Sequence, residues 1–523
     1  MPQFSLRRCG ALFILCSALA PALAGAATLA AGLALDPDVA PPTTSITVSG
    51  NGFGAGERVV LRFDQTNFGG AVANGSGTFT KNVTIPAAAK PGDHVIRAVG
   101  TTSHEHANAP FTVRTDWTQF RFDQNHTGVN PYENVINASN APQLRLHWQQ
   151  RLSQIVNNSS PTVANGVAYI GTVDGKLWAV NADGCGSSLC TQPLWIGVGG
   201  IQILDGPLVY NGVVYVGAQN SPRSNDGRLL AYAEGGCGAQ TCQPLWRGNA
   251  GPQSILQSSP AAFDNTIFVG SFDGKLYAFA AGGCGADLCD PIWTAATDGH
   301  IESSPTVVDG IVYIGSNDEK LYAFDAHGCG QLTCSPLWTG DAGGTIFDSS
   351  PAVVNGVAYV TTDHALVAFD ANGCGAPSCS PLWRGTHGID FTYGSPAVYN
   401  GNVYIGLENG IGVWDADGCG GPQTCPPLWT GFGSGTQAAV TSSPAVANGV
   451  VYAGRNTAEV LAWDAAGCGR ASCTQIWKGS TKDPLVASSP AIVNGHIYIG
   501  SADDTFPQNQ SGRLYVFDLP GTP

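Results

Sequence analysis

Charge is scarce in this sequence. Only 12% of its 523 residues are charged, and Lys and Arg number 23 against 38 Asp and Glu, a formal net charge of -15. So few cations exclude phosphate backbones and anionic lipid surfaces as partners, because nothing on the chain would neutralise them. Long apolar runs are missing too. The single candidate, within residues 1–26, is short and interrupted by Pro21, so no transmembrane segment is expected. No Cys-x-x-Cys-His occurs, which excludes a covalently attached c-type haem, and no two cysteines are adjacent.

Glycine is plentiful, at 69 residues, and 43% of the chain is hydrophobic, ample for a large core. Much glycine with little charge fits an all-β protein rich in turns. Arg7 and Arg8 precede the early apolar run, and Ala24-Gly25-Ala26 offers small residues for cleavage. Residues 1–26 are expected to be a secretory signal peptide, so the product is periplasmic or extracellular. Cys16 follows Ile14-Leu15 and lacks the small neighbour of a lipoprotein site. Cleavage removes two arginines and no acid, leaving a formal charge of -17.

Residues 27–114 alternate apolar and polar positions between Gly, Pro and Asn, the pattern of a small antiparallel sandwich. The stretches Gly50 to Glu57 (GxGFxxGE) and Pro91 to His94 (PGxH) make this segment resemble bacterial immunoglobulin-like domains. His104-Glu105-His106 has ligand chemistry, but an exposed loop is the preferred reading.

From about residue 158 one unit recurs, typified by Ser303 to Trp338. Its phase is marked by Pro161, Pro207, Pro260, Pro305, Pro351, Pro396, Pro444 and Pro490, at steps of 45 to 53 residues, the period of a four-stranded propeller blade. Each unit has a short apolar run, a two-residue turn, an aromatic and β-branched strand, a second turn, a third strand and a strand with Trp. The first turn is Asn-Gly or Asp-Gly in seven copies, the signature of a type I′ hairpin, and Asp264-Asn265 in the third copy. Trp195, Trp246, Trp293, Trp338, Trp383, Trp429 and Trp477 end units, whereas Trp148 precedes the first and the last unit reaches Asp518 without one. That offset predicts a ring of eight blades closed by the strand around Trp148, which removes any open sheet edge.

Of 16 cysteines, fourteen form neighbouring pairs: Cys185/Cys190, Cys237/Cys242, Cys284/Cys289, Cys329/Cys334, Cys374/Cys379, Cys419/Cys425 and Cys468/Cys473. In an exported chain these read as disulfides, seven equivalent hairpin staples with no reason to be reactive. Zinc would need four ligands where each unit offers two thiols.

Tyr313-Ile-Gly-Ser and Leu321-Tyr-Ala-Phe-Asp325, with the leader Asp116 to Ile136, make residues 115–523 similar to the pyrroloquinoline quinone (PQQ) propeller superfamily. That superfamily includes quinoprotein alcohol dehydrogenases and the BamB-type scaffold of outer-membrane assembly, so the resemblance implies the fold and leaves activity open. Ala323 and Asp325 match its docking motif, but Gly328-Cys329 replaces Thr-Gly and Trp338 comes late. The adjacent-cysteine disulfide of many quinoprotein dehydrogenases has no counterpart.

Strand order places the residues before each Ser-Ser-Pro at one mouth of the channel: Asn158, Asp205, Gln257, Glu302, Asp348, Tyr393, Thr441 and Ala487. Asp205, Glu302 and Asp348 are candidate calcium ligands, with Asn158 or Gln257 adding a carbonyl. In the dehydrogenase reading, these residues and Tyr393 bind PQQ, and Asp348 is the candidate catalytic base. The favoured reading is a non-catalytic, monomeric binding or scaffold protein without a cofactor, whose mouth takes a protein or carbohydrate ligand through a ring of solvated polar groups around a water-filled channel. Insertions at Asn220 to Asp226 and Asp503 to Ser511 are expected at the same mouth.

Overall fold

The structure, a computed structural model, describes residues 30–220, 226–255, 257–386, 394–421, 424–434, 438–485, 487–502 and 511–522. The expected signal peptide 1–26 lies outside the described residues, as does most of each insertion. The chain divides into two compact units, one of residues up to Asp38 with Ser45–Val83 and His94–Phe111, the other containing Thr112–Pro523.

The first unit is built of antiparallel strands. Gly32–Asp36, Ser45–Asn51 and Phe79–Thr84 form one sheet, and Arg58–Phe63 pairs with Thr66–Val72 and with Gly92–Gly100 in another. Ile46, Val48, Val59, Leu61, Ile96 and Ala98 alternate with more exposed neighbours and are buried, which is how a strand hides one face. Glu57, at the end of the Gly50 to Glu57 stretch, is buried and accepts hydrogen bonds from the N–H groups of Gly54, Thr102 and Ser103 and from Ser103 Oγ. His104, Glu105 and His106 are exposed.

The second unit consists of repeated antiparallel sheets. In one, Thr306–Val308, Ile311–Gly315, Lys320–Asp325 and Trp338–Asp341 lie side by side in chain order. Both residues of the Asp264-Asn265 turn take positive φ, 44° and 60°, like Asn165 and Gly166 at 51° and 76°, so the departing copy folds the same hairpin. The first strands neighbour one another in a cycle that returns from Ala491–Val493 to Thr162–Ala164. Arg145–Arg151 pairs antiparallel with Arg513–Asp518, so the Trp148 strand completes the last sheet as expected.

All seven expected cysteine pairs are disulfides. Each closes a short loop, and the two halves of each bridge differ in burial. Cys185, Cys237, Cys284, Cys329, Cys374, Cys419 and Cys468 are exposed on the loop. Cys190, Cys242, Cys289, Cys334, Cys379, Cys425 and Cys473 are buried, and each is a member of an apolar core. Cys190 packs with Trp148, Cys289 with Trp246, Cys379 with Trp338, Cys425 with Trp383 and Cys473 with Trp429, each time the Trp of the preceding outer strand. The physical reason is strand pairing. Each buried cysteine lies on a two- or three-residue strand that pairs in parallel with the outer strand of the preceding sheet, as Thr241–Cys242 does with Trp195–Val198. A half-cystine placed there is a small apolar side chain, so the bridge fastens a surface loop to the packing between copies.

The loop glycine before the first cysteine meets the same Trp. At Gly236, φ is +75° and a Cβ would stand 2.7 Å from the Trp195 ring, so glycine is required twice over. Apolar packing lies between neighbouring sheets, where Trp293 joins Phe268, Ile314, Tyr322 and Phe324; burying each such side chain contributes about 1.5–3 kcal/mol. Trp178, Trp414 and Trp463 are buried packing residues.

The Ser-Ser-Pro element has two separate functions. The first serine ties strands within a sheet: Ser303 Oγ accepts from the N–H of Gly315, 3.1 Å away. The second ties neighbouring sheets, the N–H of Ser304 donating to Ser350 Oγ at 2.8 Å. The second ladder runs from Gly206 through Ser259, Ser304, Ser350, Ser395 and Ser443 to Ser489, whose N–H donates to Ser160 Oγ.

Candidate functional site

The leader does not merely precede the ring; it crosses the ring's axis. Trp117 exchanges two backbone hydrogen bonds with Val163, and Thr118 accepts from the N–H of Val209. Gln124 Nε2 donates to Ala262 O, and the carbonyls of Gln124, Asn125, Thr127 and Gly128 accept from Val307, Val353, Val398 and Val446. Asn130 Nδ2 reaches Ile492 O at 2.8 Å. One segment thus bonds to the first strand of every copy, so among the described residues the centre of the ring is occupied by the leader.

Two charged or titratable side chains are sealed in this plug. Arg121, 2% exposed, donates through Nη1 to Pro444 O and through Nη2 to Pro396 O, the latter at 2.7 Å. Burial pushes its guanidinium down to about 9, against the opposing charge of Asp123. Gly128 takes φ +67°, and a Cβ there would stand 2.2 Å from Arg121 Nη2, so only glycine lets the guanidinium pass. His126 is held by Thr306 Oγ1 at 2.7 Å from Nδ1, and burial with the nearby Arg121 charge lowers it to about 3, so its ring is neutral.

Phe120, on the plug, floors a cavity of about 550 Å³. Asn158, Gln257, Asp348, Thr441 and Ala487 line it, together with Asn157, Phe347, Asp363, His364 and Glu408. Glu302 is buried near Asp348, and Asn317 Nδ2 donates to Glu302 Oε1 at 2.8 Å. Burial raises both carboxyls, and the Glu302 charge pushes Asp348 further, to about 8. At neutral pH the pair therefore holds a proton.

Asp205 departs from the place expected for it at the mouth. It is the counterpart of Ser159 rather than of Asn158, because Asp205-Gly206-Pro207 stands where six of the other seven copies have Ser-Ser-Pro. Its Oδ2 accepts from the N–H of Gly217 at 2.6 Å, the bond a serine makes elsewhere, and it is 1% exposed. Asp205, Glu302 and Asp348 form no ligand cluster among the described residues. Tyr393 lies outside them. The additional lining residues Asp363, His364 and Glu408 sit in turns between second and third strands, whose orientation towards the mouth follows from strand alternation.

PQQ is an acidic, planar molecule. The described cavity residues include no Lys or Arg, and Asp348, Asp363 and Glu408 are acids. Phe120 and Phe347 offer flat contact, but the carboxylates of the cofactor would find no cation among the described lining residues and would meet the acids Asp363 and Glu408, so the described residues do not fit it.

A family profile described as "Outer membrane protein assembly factor BamB" matches residues 225–466. A search of curated protein sequences gives no match. Among solved structures, BamB from Moraxella catarrhalis is 16% identical, covering 72% of this chain and 98% of its own, with a TM-score of 0.50. Quinohemoprotein alcohol dehydrogenase from Comamonas testosteroni is 14% identical over 78% and 81% of the two chains, with a TM-score of 0.56. A europium-containing methanol dehydrogenase is 11% identical over 77% and 98%, with a TM-score of 0.54. At these identities the structural likeness concerns the fold alone, and with the family match it supports a PQQ-like β-propeller superfamily for the repeats.

Proposed function

We propose that the chain is an exported, non-catalytic binding or scaffold protein, an immunoglobulin-like domain followed by a propeller of eight blades, which takes its ligand in the plugged mouth. The observation that carries this reading is the cavity lining: amides, hydroxyls and carboxyls around Phe120 and Phe347, without a Lys or Arg among the described residues. Such a surface repels anions and suits the hydroxyls of a carbohydrate or a basic loop of a protein. The disulfides and the BamB-like fold support an extracytoplasmic location. The structural neighbours are named both as an assembly factor and as dehydrogenases, and the acidic lining favours the former use.

Calorimetric titration of the full chain with neutral oligosaccharides, with Lys- and Arg-containing peptides, and with PQQ plus Ca²⁺ tests this. Binding to either of the first two classes, weakened by Asp348→Ala, is the expected result. Quinone absorbance together with alcohol-dependent dye reduction would establish the dehydrogenase and overturn the proposal.

A further inference from the structure

The third strand of the final copy ends at Asp518, where other copies continue into a cysteine loop, and no cysteine follows before Pro523. Three side chains meet at this seam. The closing strand slips register against Arg513–Asp518 between Leu146 and Trp148, so His147 stands in a bulge. The bulge brings His147 Nδ1 to 2.8 Å from Asp518 Oδ2. His496 is the register partner of Asp518 on the neighbouring strand, and its Nε2 lies 3.9 Å from the same oxygen. The two imidazoles are stacked, with centroids 6.0 Å apart.

His496 and Asp518 are 4% and 2% exposed, yet His496 Nε2 and Asp518 Oδ1 have no hydrogen-bond partner among the described residues. Each buried, unpaired polar atom costs about 1–3 kcal/mol and calls for a partner. The other nitrogen of His496, Nδ1, is 3.1 Å from Asn494 O. A carbonyl only accepts, so Nδ1 carries the proton and the lone pair of Nε2 points to the cluster. Metal-ligating histidines are oriented by just such an outer hydrogen bond.

We propose that His147, His496 and Asp518 form a three-ligand site for a divalent transition ion, zinc first, that clamps the closing strand to the final copy. Zinc takes imidazole and carboxylate at about 2.0–2.2 Å, which sets tetrahedral ligands roughly 3.4 Å apart. The 2.8 and 3.9 Å separations straddle that spacing, and all three ligand atoms lie within 4.8 Å of one another. Two nitrogens and one carboxylate favour zinc over calcium or magnesium, which want oxygen shells. Coordination through His147 Nδ1 moves that ring's proton to Nε2. The His147 side chain is 40% exposed, so the ion enters from solvent and keeps a fourth position for water. The ion would lie within the last sheet, joining the closing strand to the second and third strands of the final copy.

The test uses the full chain, stripped with EDTA and titrated with Zn²⁺ by calorimetry and with Co²⁺ by absorption. One equivalent of Zn²⁺ should bind and raise the melting temperature, and Co²⁺ should give the bands of a four-coordinate nitrogen and oxygen site. His147→Ala changes an accessible side chain and, as loss of a direct ligand, should weaken binding by more than the roughly 10–100-fold of an outer-shell change, with loss of the thermal shift; Asp518→Asn should do the same, and His327→Ala, at an exposed histidine elsewhere, should not. If the protein binds no stoichiometric Zn²⁺, or binds it equally well as His147→Ala, the site does not exist.

Discussion

The N–H of Ser489 donates to the Oγ of Ser160 at 2.9 Å, across 329 residues of sequence. It is one rung of the ladder that ties each copy to the next, and it joins the last copy to the first. The ladder is interrupted at one position, where Gly206 has no hydroxyl to offer Ser160. Ser160→Ala removes the acceptor and leaves the Ser489 N–H buried and unpaired, a loss of about 1–3 kcal/mol. Denaturant unfolding should register that loss. A stability unchanged from wild type would mean that the rung contributes nothing to closure.

Because Thr241–Cys242 pairs with the outer strand of the preceding sheet, and Cys242 is buried against Trp195, opening its disulfide should be felt one copy upstream. Cys237→Ser with Cys242→Ser costs about 2 kcal/mol for so short a loop. Hydrogen exchange should accelerate in Trp195–Val198 more than in Trp246–Asn249, the outer strand of the same repeat.

The period, the hairpins and the cysteine pairing were legible because each is written in side chains at fixed spacing. The role of the leader was not. Over half of its hydrogen bonds to the first strands, from Trp117 to Asn130, are backbone to backbone, with Arg121, His126, Gln124, Asn125 and Asn130 adding side-chain bonds. The cross-copy pairing of two-residue strands such as Thr333–Cys334 is too short to show alternation, which is why the burial of Cys334 and its counterparts could not be read from spacing. Asp205 misled because its carboxylate performs the hydrogen bond of a serine, so the acid in Asp-Gly-Pro reads as a site residue when it is a structural one.

Asp348 gives the mouth a pH signature. Its folded pKa, about 8, stands above the ordinary value of 3.8, so the fold favours the protonated form. That contribution is fully present below about pH 4 and is lost as pH rises through 8, with a slope of at most about 1.4 kcal/mol per pH unit. Asp348→Asn should be more stable than wild type at pH 8 and should flatten the dependence between pH 4 and 8. Parallel melting curves for the two proteins across that window would refute the assignment.

The plug makes Arg121 a structural cation. Arg121→Met keeps much of the volume but leaves Pro396 O and Pro444 O without donors, and hydrogen bonds from a charged group contribute about 1.5–3 kcal/mol each. The melting temperature should fall by several degrees, and exchange should rise at the Val398 and Val446 amides that bond the same segment. If only the melting temperature moves, the guanidinium stabilises the ring without holding the leader.

In the first unit Glu57 carries the opposite sign to Asp348. Hydrogen bonds led by the Ser103 hydroxyl lower it from 4.5 to about 2, so its carboxylate stabilises the fold above about pH 4.5, and that stability drains away as pH falls towards 2. Glu57→Gln puts an amide NH₂ among the N–H donors of Gly54, Thr102 and Ser103, which costs about 1–3 kcal/mol. The Thr102 and Ser103 amides should exchange faster in the variant at pH 7. In wild type they should lose protection between pH 4.5 and 2, while the Gln variant shows no such step. A step retained by the variant would assign the acid lability to another carboxyl.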